Sequence, residues 1–520
     1  MPGDGAGTKR GRDKDGQSKD KEGGARRKVT IDPVLRGYGL ARTDTSSSRD
    51  HFLAWKRNVP LLYDSIVHHS LTWASLTCAF GVHEITVDAE APITHMPMYF
   101  SSRTDATYSP TTNLWSSGQP GLLFVGNVDL NIVNTSRRKY LARFSESNQS
   151  SRISINKRII HPGEVNRVRP SVRRPGFIGT HSDSPFVFIW DTANQPDRSG
   201  KMGANAVAAS AAAAVEAARE AGDRPVSDAV TAVSKTSKLT PQHASIPELT
   251  LVGHKGKAEY ALDFSASSDH VLSGGAQADI CLWDLGDAES ALTRHGKAKP
   301  RNTFLGHKGP IEGCAFQPTS QGNEFVSVGD DHLVAFWDAR GGTTPTHLLQ
   351  AHANDVNCCA WNPHDSNYVL TGSTDRHICL FDTRKLGEAS AAPGSPGNTP
   401  GCVRRFEAHD NAVLNVRWSP HDRRYFASTD EKSSFIIWDM GEGDKVAQQD
   451  PQPLFRHAGH RAPVSDFDWS AHDPWAFMSV SDDSLMDVPQ GGGTMQFWRI
   501  HEFVTHGRDL AFQTKLQDLL

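Results

Sequence analysis

Short apolar or alternating runs, separated by Gly, Asp, Asn and Ser, recur along most of the chain. Val334-Ala335-Phe336-Trp337 and Phe435-Ile436-Ile437-Trp438 are two of them, and such runs bounded by turn formers predict β-strands. They fall into a repeating unit in which a His is followed 29 or 30 residues later by Trp-Asp or a close variant. Five copies run His161 to Trp190-Asp191, His254 to Trp283-Asp284, His307 to Trp337-Asp338, His352 to Phe381-Asp382 and His409 to Trp438-Asp439. A sixth, His460 to Trp498-Arg499, is stretched by the insertion Leu485 to Gly493.

Each unit supplies about four short strands, too few to bury both faces, so neighbours must stack radially and close on themselves. The six units and a degenerate region from about 71 to 135, with its strand-like Leu122 to Val128, predict an all-β, seven-bladed propeller over 71–503. Leu71 to Phe80 is expected to complete the last blade, leaving no open sheet edge. Ahead of it, residues 49–70 read as helical. Asp50 is placed as a cap, Phe52, Trp55 and Val59 share one face, Pro60 kinks or ends the helix, and the pattern resumes through Leu62, Ile66 and His69. Residues 1–48 are Gly, Ser, Lys and Asp with little to bury and read as a disordered tail, and 504–520 form a C-terminal tail. Insertions interrupt the propeller at about 196–248, with eleven alanines among residues 203 to 221, and at 387–401.

No apolar run approaches the roughly 18 residues that cross a bilayer, so neither an integral membrane protein nor a secreted one is expected. The seven cysteines form no C-x-x-C pair, which fits a reducing compartment and no cysteine-built metal site. The net charge of −4 is unevenly spread: residues 1 to 28 carry nine Lys/Arg against five Asp/Glu, leaving −8 for the rest. The basic clusters of the tail suit nuclear import. An acidic body fits a basic partner and disfavours phosphate-backbone binding as its main task.

The repeated His, a Ser/Thr, a turn Asp and the Trp stand at matching offsets, as in His307, Ser327, Asp331 and Trp337, and form a structural hydrogen-bond chain within a blade. Gln277 and Lys432 replace the Asp elsewhere, and those blades are expected to rely on apolar packing. Gly491-Gly492-Gly493 lacks a strand-to-helix context and no catalytic or metal motif appears, so neither an enzyme nor a cofactor is expected. Propellers bind through face loops. Just after the repeated His these hold Glu164 and Asn166, Glu259 and Tyr260, Glu312 and Asn357, with Asp482 near the last turn, a set suited to a basic extended peptide. A second candidate pairs Trp55, Leu61 and Leu62 of the helix with the loop 441–453, which carries Glu442, Asp444 and Asp450. Those three apolar residues alternatively staple the helix to the propeller.

Trp55-Lys56-Arg57-Asn58-Val59-Pro60-Leu61-Leu62-Tyr63-Asp64, Leu71-Thr72-Trp73-Ala74-Ser75-Leu76, Gly163-Glu164-Val165-Asn166-Arg167 and Ser479-Val480-Ser481-Asp482-Asp483 resemble the nuclear histone-binding WD-repeat proteins related to the retinoblastoma-binding proteins. The likeness covers about residues 50 to 503 and is strongest to the plant FVE-type (MSI-like) branch. It implies a nuclear adaptor that binds histones and joins deacetylase or Polycomb-type complexes. By matching motif, Glu164, Asn166, Arg167, Tyr260, Glu312, Asn357 and Asp482 would face a histone tail, while Trp55, Leu61, Leu62, Asp444, Asp450 and Leu454 would clamp a histone helix. Ala412 and Leu414 stand where the animal proteins have Glu and Phe, one residue is added near Glu259, and the 441–453 loop is shorter and less acidic. Trp337-Asp338-Ala339-Arg340 preceded by Asp331 also resembles the box by which substrate receptors dock onto a cullin ubiquitin-ligase adaptor, an alternative function. Direct sequence-specific nucleic-acid binding is not expected.

Overall fold

A computed structural model describes residues 48–82, 93–104, 120–131, 152–198, 244–292, 295–387, 399–441, 453–483 and 492–501, with the short stretches 86–87, 107–109 and 114–116 and the single residues 141 and 144. The expected tails, most of both insertions and most of the loops 441–453 and 485–493 lie outside the described residues.

Seven sheets form the blades of a ring, each starting from an innermost strand on the axis. These inner strands are Cys78–Phe80, Arg167–Pro170, Leu262–Phe264, Ile311–Phe316, Val356–Trp361, Val413–Trp418 and Val464–Trp469, for blades one to seven. Adjacent blades bury apolar side chains between them. Phe406, Phe426 and Trp438, for example, pack with Val416 and Leu370 at the junction of blades five and six. Among the described residues no helix is long and apolar enough to cross a membrane.

Ring closure differs from the expected scheme. The N-terminal helix spans Ser48–Leu62, with Asp50 inside its first turn and Pro60 in its last. The chain then turns at once into the strand Tyr63–Leu71, not a continued helix. This strand is antiparallel to Gly493–Ile500 and forms the outer edge of blade seven, with Tyr63 opposite Ile500 and Leu71 opposite Gly493. Ile66 and Val67 are both fully buried, one between the helix and blade seven and the other between blades seven and one, as a strand covered on both faces requires. Leu71 to Phe80 therefore does not complete the last blade. Thr77 donates its hydroxyl to Asp466 Oδ2 at 2.8 Å near the axis, which draws Cys78–Phe80 inward as the first strand of blade one.

The polar chains are present in six units. In blade four His307 Nδ1 donates to Asp331 (3.0 Å), Ser327 donates to His307 Nε2 (2.8 Å), and Trp337 Nε1 donates to Ser327 Oγ (2.8 Å). This is the proton arrangement that satisfies all four groups. Two blades expected to lack the acid have one. Asp279 accepts from His254 at 2.9 Å and Asp430 from His409 at 3.0 Å, each two residues away from the offset occupied by Gln277 and Lys432. A carboxylate on a neighbouring turn position reaches the same imidazole. In blade seven Thr494 takes that place against His460 Nδ1 (3.0 Å), and in blade two the Gly163 carbonyl accepts from His161 Nδ1 (3.0 Å).

Blade two carries a fifth strand that the four-strand pattern did not foresee. Between the third and outer strands of blade three the chain leaves through the short helix Glu289–Leu292 and lays Gly296–Ala298 parallel to Leu249–Leu251 on the edge of blade two.

Candidate functional site

The inner strands line an axial cavity of about 310 Å³. Alternate residues of an extended strand face the same way, so Arg167 and Arg169, Asn415 and Arg417, and Asp466 and Asp468 project toward the axis in pairs. Asp466 is fully buried and accepts from the Thr77 hydroxyl, from the Cys78 amide at 3.3 Å and from Arg169 at 3.1 Å, with Arg167 at 3.4 Å and Arg417 at 3.6 Å. Burial alone would raise this carboxyl, but the guanidinium groups of Arg169, Arg167 and Arg417 outweigh it and hold it well below the usual range. Asp468 bonds Arg417 at 3.2 Å and accepts from the Phe80 amide at 2.8 Å, so blade seven is clamped to blade one at two points. Asp263 accepts from the Phe316 amide at 2.8 Å in the next blade, and burial pushes its carboxyl up to about 6.

Four of the seven channel-mouth residues expected from the sequence, Arg167, Tyr260, Glu312 and Asn357, share the wall of this cavity. Arg167 Nε donates to the Tyr260 carbonyl at 3.0 Å, and Asn357 Nδ2 donates to the Val413 carbonyl at 2.8 Å, fixing both against neighbouring blades. Burial pushes the Glu312 carboxyl up to about 7, reinforced by Asp330, Glu259 and Asp355, with Arg167 opposing. Glu164 and Asp482 are brought together by a residue the sequence reading missed. Arg103 reaches Glu164 at 3.4 Å and Asp482 at 3.3 Å, with its side chain half exposed. It lies in blade one, which has no repeated His or Trp-Asp to mark its loops. Asn166 is buried, its amide donating to the His181 carbonyl, and it is not on the cavity wall.

The expected helix clamp divides. Trp55 and Leu62 are buried against Tyr63, Phe455 and Trp498, with Leu454 packed on the same cluster, so these two hold the helix to the propeller. Trp55 Nε1 donates to Tyr63 Oη at 2.7 Å, and Tyr63 donates onward to His457 Nδ1 at 2.6 Å. Leu61 is 64% exposed and Leu53 42% exposed. Asp444 and Asp450 lie outside the described residues.

The three residues of the ligase-like box are also separated. Asp331 is taken up by His307, while Asp338 and Arg340 stand beyond the other end of the strand Leu333–Asp338. Arg340 is exposed and bonds Asp338 at 2.8 Å and Glu324 at 2.6 Å. Among the described residues His254, Asp279 and Cys281 come close enough to share a metal ion. They do not suit one: His254 spends both nitrogens on Asp279 and Ser273, and burial pushes the Cys281 thiol up to about 12.

The comparisons agree with this architecture. The family model for the histone-binding protein RBBP4, or its counterpart in the CAF1 complex, matches residues 50–114, the helix, the closing strand and the start of blade one. The model of the WD domain, G-beta repeat, matches 245–284, 298–338, 343–382, 400–439 and 451–486. Each match straddles two blades, joining one blade's outer strand to the inner strands of the next. The WD-40 repeat-containing protein MSI4 of Arabidopsis thaliana is 32% identical over 498 residues, 91% of this chain and 86% of that protein. With that likeness along nearly its whole length, the N-terminal match and the closed ring of seven blades, the chain belongs to the RBBP4-like, MSI-type family of WD-repeat proteins.

Proposed function

We propose that this protein is a histone-binding adaptor that works without catalysis in the nucleus, as a member of chromatin-modifying complexes of the deacetylase or Polycomb type. The carrying observation is the acidic mouth of the channel, where Glu312 is held among Glu259, Asp330 and Asp355 beside Tyr260 and Asn357. A buried carboxyl crowded by others is costly alone, and a Lys or Arg from an extended tail would relieve it. The match to a histone-binding family model over residues 50–114 supports the same partner at a second place, where exposed Leu53 and Leu61 lie on the helix.

The test is binding of the full chain to purified core histone pairs across a salt series. Saturable binding that weakens with salt supports the proposal, and no binding at low salt by folded protein overturns it. The alternative, a substrate receptor of a cullin ubiquitin ligase docking through Asp331, Asp338 and Arg340, is not favoured. Asp331 is committed to His307, and the comparisons point to the histone-binding family.

A further inference from the structure

The fifth strand of blade two ends in a ladder of positive charge. Ala298 packs with the apolar cluster around Leu249, Leu251 and Trp283, and Pro300 lies so close to Gly253 that a Cβ there would come within 2.9 Å of its ring. Side chains of an extended chain alternate, so inward Ala298 and Pro300 turn Lys297, Lys299 and Arg301 outward. All three are exposed. Pro300 also biases Lys299 toward an extended conformation. The exposed Lys255 follows two residues after Gly253.

Lysine on an edge strand commonly blocks pairing with another chain, which accounts for Lys297. It does not account for Lys299 and Arg301, which lie beyond the strand Gly296–Ala298. Arg301 approaches Asp284 only to 3.6 Å and keeps 57% of its side chain exposed. Outward positions two apart in an extended chain are separated by about 6.6 Å, a distance of the same order as that between neighbouring phosphates on one nucleic-acid strand. The ladder stands on the convex rim, where a phosphate backbone needs no groove for side chains.

We propose that Lys297, Lys299 and Arg301 form a contact for the phosphate backbone of duplex DNA, set on the rim and separate from the channel mouth. The contact is independent of base sequence and does not depend on the histone reading.

The experiment is fluorescence anisotropy of the full chain with a labelled, mixed-sequence duplex over a salt series. It compares the wild type with a Lys297→Glu, Lys299→Glu, Arg301→Glu triple variant. The basic residues 1 to 28 are present in both and cancel in the comparison. The expected result is weaker binding in the variant, with the slope of log affinity against log salt shallower by about two to three. The milder Lys297→Gln, Lys299→Gln, Arg301→Gln variant should fall between the two, and histone-pair binding, read in parallel as a folding control, should be unchanged. Equal duplex affinity and equal slope in wild type and variant overturn the proposal. So does a poly-glutamate peptide that binds the ladder when the duplex does not, since the partner is then an acidic protein segment.

Discussion

Tyr63 donates to His457 Nδ1 at 2.6 Å, joining the first strand of the ring to the outer strand of blade six across 394 residues of sequence. His457 Nε2 in turn meets Gln496 Oε1 at 3.0 Å in the strand paired with Tyr63–Leu71. Burial depresses the imidazole to about 3, so it stays neutral and passes one hydrogen bond along from each nitrogen. Trp55 donates into the same Tyr63 oxygen. One buried polar chain thus ties the N-terminal helix, the closing strand and blade six together.

Tyr63→Phe leaves His457 Nδ1 and Trp55 Nε1 buried without partners. Each such group costs about 1–3 kcal/mol, so denaturant unfolding should show a loss of several kcal/mol. Protease should also cut the helix Ser48–Leu62 sooner. Wild-type stability in the variant would show that apolar packing alone seats the helix.

Asp430 accepts from His409 and from the amides of Lys432, Ser433 and Ser434, the last at 2.8 Å. Burial would raise this carboxyl, but its hydrogen bonds, above all that from His409, hold it below the ordinary range. A depressed carboxyl contributes stability above its unfolded pKa and loses it as pH falls through the folded value. Asp430→Ala should therefore cost about 3 kcal/mol or more near neutrality, and its acid unfolding curve should flatten relative to wild type. Thermal melts at several pH values check both.

Glu312 has the opposite sign. With its folded pKa near 7, the protonated form suits the fold, and stability is lost as pH rises from the unfolded pKa toward 7. Glu312→Gln should be more stable than wild type at pH 8, by about 2–3 kcal/mol at most, and equal to it near pH 4. Binding of a cationic peptide should strengthen in wild type as pH climbs through 7, because the ligand selects the carboxylate. The Gln variant should lose that dependence. A pH-independent wild-type affinity would contradict this assignment.

The ring was legible because its marks are local: a His, a Ser/Thr and a Trp at fixed offsets recur wherever a blade needs its polar chain. Blade one has no such marks, and with it Arg103 was hidden, since nothing local says which loop will meet Glu164 and Asp482. The strand Tyr63–Leu71 read as helix because Leu62, Ile66 and His69 are spaced three and four apart. Its pairing is settled by Gly493–Ile500 at the other end of the chain, a contact no window of sequence contains. The acids Asp279 and Asp430 were missed because a fixed offset was required, where the fold needs only a carboxylate within reach of an imidazole. The strand Gly296–Ala298 could not be foreseen, because it joins a blade other than the one it interrupts. Of the candidate site, residue identities at the mouth were readable from position after the repeated His. The burial of Trp55 and Leu62 depended on which way the helix lies.

The central claim is that the acidic channel mouth receives a histone tail. Its most direct test is the affinity of the full chain for a basic histone-tail peptide, measured beside a Glu312→Lys variant whose fold is verified by its melting curve. At least a tenfold loss in the variant, with wild-type binding weakening as salt rises, is the predicted result. Equal affinity in the two proteins would contradict the account and take the channel mouth out of it.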